Sequence, residues 1–87
     1  MNQSILFSDD IVWNSLTRTL TFHANQSGML ITCAIAAEKL GQLASMRVNS
    51  EEEAFEAYKK AQFDIEECAE ALIEDEDFDE QGNIKVG

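Results

Sequence analysis

Apolar and polar positions alternate along the first third of the chain and recur every three to four residues beyond it. The pattern therefore predicts strands up to about residue 35 and helices afterwards. Ile11-Val12-Trp13 reads as a short first strand following the turn residues Asp9-Asp10. From Leu16 to His23 the alternation places Leu16, Leu20 and Phe22 on one face and Thr17, Thr19, Thr21 and His23 on the other. Asn25-Gln26-Ser27-Gly28 supplies turn chemistry. Met29 to Ile35 forms the returning strand, with Met29, Ile31, Cys33 and Ile35 on one side. The hairpin so defined buries Leu20, Phe22, Ile31, Cys33 and Ile35 and leaves its Thr-rich face to solvent.

Ala36 to Ala44 is composed of good helix formers, interrupted by Gly41, and predicts a short helix. Ser50-Glu51-Glu52-Glu53 is a capping box, its carboxylates suited to the positive end of a helix dipole. Ala54, Tyr58, Ala61, Ile65, Cys68 and Leu72 then recur at spacings of four and three, widened by Phe55, Ala69 and Ile73. This is one amphipathic helix running to about Glu76. About 26 residues at ~1.5 Å each span ~39 Å, whereas a compact domain of this length is roughly 31 Å across. The long helix must overhang its sheet or kink. Asp79 to Asn83 reads as a turn, and Ile84-Lys85-Val86 as a candidate fourth edge strand. The expected fold is α+β, one domain over residues 1–87: a three-stranded antiparallel sheet, with that optional fourth strand, packed by one short and one long helix.

The order of these features resembles a group of short proteobacterial proteins filed as domain of unknown function 1488. Ile5-Leu6-Phe7, Asp9-Asp10, Trp13, Phe22, Gly28 and the Ile31-x-Cys33-x-Ile35 strand carry the resemblance, with the long helix and Gly82-x-Ile84 completing it. The resemblance implies an α+β fold with helices on one side of a small antiparallel sheet. It brings no activity, cofactor or catalytic residue with it.

Composition narrows the function classes. The 87 residues carry 17 acidic and 6 basic side chains, a net charge of −11. Such a field repels phosphate, which argues against direct binding of nucleic acid or of anionic membranes. Met1 to Ser4 lack the basic start of a secretory leader, and no apolar run approaches the ~20 residues of a membrane span. Cys33 and Cys68 make no disulfide framework, and a reducing cytoplasm is the expected compartment.

Candidate chemistry is sparse. A thiol nucleophile needs a neighbouring base. The single histidine, His23, falls on the Thr face while Cys33 falls on the apolar face. His23 also sits at the turn end, several residue pairs from Cys33, so no dyad is expected. Cys68 lies on the apolar stripe of the long helix, and Trp13 and Tyr58 read as core aromatics. One histidine and two separated cysteines are too few for a zinc site, and no cofactor is expected. Glu56, Glu66, Glu67, Glu70 and Glu74 form a solvated helix face.

Phe63 departs from its wheel, projecting about 180° from the stripe among Lys59, Lys60, Glu67 and Glu70. Either a kink near Gln62-Phe63-Asp64 returns it to the core, or it anchors a partner together with Lys59 and Glu67. The second alternative predicts at least a weak homodimer through the long helix. Asp77-x-Asp79-x-Gln81-Gly82 resembles the first half of a calcium loop, but Lys85 stands at its ninth position and no twelfth follows. Only weak cation binding is expected there. The function expected overall is a non-enzymatic interaction or accessory module with an unidentified protein partner. Rivals are an acidic nucleic-acid mimic bound by a basic protein, a weak cation-binding regulator, and a small hydrolase-like enzyme that no pocket-forming sequence supports.

Overall fold

Alternating hydrophobic runs and a helical stripe can share one core only if the helices cover one face of the sheet, and the structure has that arrangement. The structure, a computed structural model, describes residues 5–87; the reading of Met1 to Ser4 lies outside them. In chain order the elements are β1 (Ile5–Phe7), β2 (Val12–Asn14), β3 (Thr19–Gln26), β4 (Met29–Ala36), α1 (Ala37–Ala44), α2 (Glu51–Lys60), α3 (Gln62–Glu74) and β5 (Ile84–Val86). The class is α+β, as expected, but the described residues form a five-stranded mixed sheet with three helices. The sheet runs β1-β3-β4-β5, with β2 also pairing β3.

The β3–β4 hairpin is the scaffold. Its register pairs Leu20 with Ile35, Phe22 with Cys33 and Ala24 with Ile31, so all six side chains point into the core. Ser27 and Gly28, with φ of 54° and 84°, make the two-residue turn whose paired positive φ values match strand twist. Asn25 Oδ1 accepts from Gly28 N at 3.1 Å.

The expected strand starting at Leu16 begins instead at Thr19. Leu16 sits 93% exposed in the β2–β3 connection, where Asn14 Oδ1 accepts from its amide. Met29 has the parity of the buried face, yet it sits at the hairpin tip, in a surface groove with Ile73 and Glu74 at the end of α3, and is 63% exposed. Parity assigns a face; it does not say where the covering layer ends.

Ile5-Leu6-Phe7, not expected as a strand, pairs with the far end of β3, Phe7 opposite Ala24. The first expected strand is shifted by one residue, Val12 standing opposite Thr21. Between these pairs lie residues 8–11 on one chain segment and 22–23 on the other. β1 and β2 are therefore one edge strand broken by an insertion, which the Ser8 N to His23 O bond of 3.0 Å spans. At the opposite edge β5 is present at Ile84–Val86, but it runs parallel to β4.

Gly41 is demanded by packing, since a Cβ there would stand 2.6 Å from the backbone oxygen of Met46, where the chain folds back after α1. The cap forms, with the return bond one residue earlier than in a standard capping box: Glu53 N donates to Ser50 Oγ at 3.2 Å, and Glu53 Oε1 accepts from Asn49 N at 2.7 Å. The expected single helix then breaks at Ala61 (φ −109°, ψ 19°) with neither Pro nor Gly present. The kink belongs to tertiary packing. In α2 the buried residues are Ala54, Ala57 and Tyr58; in α3 they are Ile65, Ala69 and Ile73, all four apart. A four-residue spacing drifts about 40° per step, so the buried face of α3 is turned roughly 60° from that of α2. This overturns the placement of Cys68, which is exposed, and draws Glu66 and Glu70 to half-buried positions.

Candidate functional site

The turn of the helical face decides what Phe63 does. Of the two alternatives, the kink occurs, yet Phe63 stays 86% exposed. It stands at the start of α3 beside the edge strand β1. Together they wall a groove of about 330 Å³ lined by Ile5, Phe7, Phe63, Glu66, Glu67 and Glu70. Its lining joins three apolar side chains, Ile5, Phe7 and Phe63, to three carboxylates. Gln62 Nε2 donates to Glu66 Oε2 at 2.9 Å, fixing one of these carboxylates. Of the residues expected beside Phe63, Glu67 lines the groove, whereas Lys59 is exposed on α2 and lies outside it. Ile5 and Phe7 were missed because they reach the groove through strand pairing, which no local pattern encodes.

Behind the groove an aromatic row leads inwards. The Phe7 and Phe22 rings lie 6.1 Å apart, and those of Phe22 and Tyr58 5.5 Å. Tyr58 is 3% exposed, and among the described residues its Oη is the one buried side-chain polar atom without a hydrogen-bond partner. Burial, then the negative charges of Glu66, Cys33 and Asp9, push its hydroxyl up to about 12.

Cys33 and His23 point to opposite faces of the hairpin. The distance argument fails, however: His23 pairs with Thr32, directly beside the Phe22–Cys33 pair. Cys33 is fully buried with its Sγ directed at Ile31 O, 3.9 Å away, and burial pushes its thiol up to about 11. A thiol so protected from ionisation is a poor nucleophile.

The carboxylate of Asp79 is occupied by its own turn. Its Oδ1 accepts from Gln81 N and Asn83 N, both at 2.9 Å. Chiefly through the Asn83 amide, these contacts hold its pKa below the usual 3.8. No cluster of three or more His, Cys, Asp or Glu among the described residues is placed to hold a metal ion, and no helix among them is long and apolar enough to cross a membrane.

The model of a family described as "Protein of unknown function (DUF1488)" matches residues 5–86. The "Uncharacterized protein YrdB" of Escherichia coli (strain K12) is 34% identical over 82 residues, 94% of each chain. That of Shigella flexneri is 33% identical over the same coverage. A crystal structure at 1.60 Å of a DUF1488-family protein of unknown function from Shewanella loihica PV-4 superposes with a TM-score of 0.91 at 44% identity. That superposition covers 99% of this chain and 94% of the other.

Proposed function

The chain belongs to the DUF1488 family, and for it we propose the role of a protein-binding module that acts without catalysis and whose contact surface is the groove beside Phe63. One observation carries this reading: a large aromatic ring left 86% exposed in a groove that it shares with Ile5 and Phe7. Exposing an aromatic of this size forfeits about 2 kcal/mol of burial, a cost that a partner recovers. The carboxylates of Glu66, Glu67 and Glu70 select the partner's chemistry. A segment bearing one or two apolar side chains between Lys or Arg residues fits it; a second copy of this chain would set these carboxylates against their own counterparts. That favours a basic partner over the homodimer through the long helix. The two free thiols support a reducing compartment, the cytoplasm.

Two-dimensional NMR with a short peptide, Leu-Trp-Leu flanked by Lys and Arg, tests the reading. Shifts should concentrate at Ile5, Phe7, Phe63 and Glu67, and weaken about tenfold or more in Phe63→Ser. Shifts spread evenly over the acidic surface, unchanged in Phe63→Ser and competed by DNA-binding proteins, would instead support an acidic mimic of nucleic acid. That second reading rests on the run Glu74-Asp75-Glu76-Asp77, exposed throughout.

A further inference from the structure

The helices cover one face of the sheet; nothing among the described residues covers the other. Register assigns its occupants. Leu6 stands beside Asn25 and Leu30; Val12 beside Thr21 and Ala34; His23 beside Thr32; and Lys85 beside Ala34. Leu6, Val12 and Leu30 are 69%, 57% and 68% exposed, while the Thr, His and Ala positions between them are half-buried. Among the described residues no Asp or Glu occupies an outward-facing position of these strands. All of the chain's 17 carboxylates lie on the helices and the connecting segments, and Lys85 is the outward face's charged residue.

That distribution matters because the molecule carries a net charge of −11. Two copies repel where they present the acidic helices α2 and α3 or the segment from Asp75 to Glu80 to each other. The sheet face is a broad surface on which they meet without juxtaposing carboxylates. We propose that this face is the docking surface for a second copy of the chain, giving an isologous dimer of two sheets packed back to back with the helices outside.

The dimensions suit it. The strand residues, eight each in β3 and β4 and three each in β1, β2 and β5, occupy ~4.8 by ~3.4 Å apiece and give a face of roughly 400 Å². A face of that size falls short of the about 800 Å² per partner of a standard stable interface and suits a weak dimer. Two twisted sheets stack about 10 Å apart with their side chains interdigitating. The exposed Leu6, Val12 and Leu30 provide the apolar contacts, and the half-buried Thr and Ala rows allow close approach.

Sedimentation velocity from about 1 to about 200 µM tests this, a range that brackets weak dimers. The expected species has twice the 9.7 kDa chain mass. Raising NaCl from about 0.05 to about 0.5 M should tighten it, because salt screens the repulsion between the two acidic bodies. Leu30→Glu alters a side chain already 68% exposed, and it should weaken association about 100-fold or more by setting carboxylates into the interface. Thr32→Glu serves as an independent second variant should Leu30→Glu lose the native circular dichroism spectrum. Phe63→Ser should leave the mass unchanged. A chain that stays monomeric to the top of the range, or a dimer that survives both Glu variants, or one that dissolves in Phe63→Ser, overturns the proposal.

Discussion

Replacing Tyr58 by Phe should stabilise the protein. A buried hydroxyl without a partner has lost its hydrogen bonds to water and gained none, at a cost of about 1–3 kcal/mol. Tyr58 is 3% exposed, and its Oη has no partner among the described residues. The Phe ring keeps the packing on Phe22, 5.5 Å away between centroids. The expected gain is therefore about 1–2 kcal/mol, and each kcal/mol raises the melting temperature of a domain this small by about 4–8 °C. Urea titration at neutral pH, with the thermal melt beside it, reads the change. A loss of stability would refute the reasoning, since it would mean that the hydroxyl is held by a partner such as the neighbouring Glu66 or Asp9 carboxylate.

The same group predicts an alkaline limit. Its folded pKa is raised, from 10.0 to about 12. The unfolded chain ionises first, so the contribution is intact below pH 10 and fades as pH rises through 12. At about 1.4 kcal/mol per unit, roughly 2–3 kcal/mol is lost across that window. Cys33, raised from 9.0 to about 11, adds its own loss beginning one unit lower. In Tyr58→Phe the upper part of the decline should vanish while the Cys33 part remains. Identical alkaline profiles for the two proteins would count against the burial of the phenol.

The remaining predictions concern the thiols and the last turn. A thiol reagent should label Cys68 rapidly and Cys33 only on unfolding, giving one fast equivalent by mass spectrometry. Cys33→Ala should cost about 1–2 kcal/mol in urea titration through lost core packing. Asp79→Ala should speed hydrogen exchange at Ile84 to Val86, because the Asp79 carboxylate and its backbone fasten the turn that delivers β5. The Asp79 pKa is lowered on folding, so its contribution is present above pH 3.8 and lost as pH falls through the depressed value. Protection from exchange in the wild-type turn, taken relative to the intrinsic rate at each pH, should fall only below that point.

The hairpin was legible because three signals agree there: alternation at 20/22 and 31/33/35, Gly28 at the turn, and Asn25 beside it. What alternation could not convey was extent. Leu16 and Met29 have the parity of core residues, but Leu16 lies in the connection before β3 and Met29 at the hairpin tip beside the end of α3, and both are exposed. β1 escaped notice because its partner on β3 lies some twenty positions away, a pairing that no local pattern encodes. The kink was written in the spacing of Ile65, Ala69 and Ile73, whose drift was absorbed into a wide stripe instead of being read as a rotation. Once rotated, α3 exposes Cys68 and brings Glu66 and Glu70 against β1. Ile5 and Phe7 thus came to the groove from a strand that the local pattern does not show, and Glu66 and Glu70 from the rotation of α3, whereas Phe63 and Glu67 were visible in advance.

The two proposed surfaces lie on different sides of the molecule and differ in charge, and from this their independence follows. The groove presents Glu66, Glu67 and Glu70 and repels a second copy; the sheet face lacks carboxylates, carries Lys85 and gives a basic segment nothing to pair with. Coupling between two sites requires that each ligand distinguish two states of the protein. Phe63 on α3 and Leu30 on the outer face of β4 are separated by the packed core, in which Phe22, Ile35 and Ile65 are fully buried. Such a core resists continuous deformation, so neither contact has an evident route to the other. The basic peptide should therefore bind Leu30→Glu and the wild type with the same affinity within about twofold, by fluorescence of the peptide's tryptophan. Saturating peptide should likewise leave the self-association constant unchanged in sedimentation. Mutual exclusion of peptide and second copy would place both on one surface, and either the groove or the sheet face would then have to be given up.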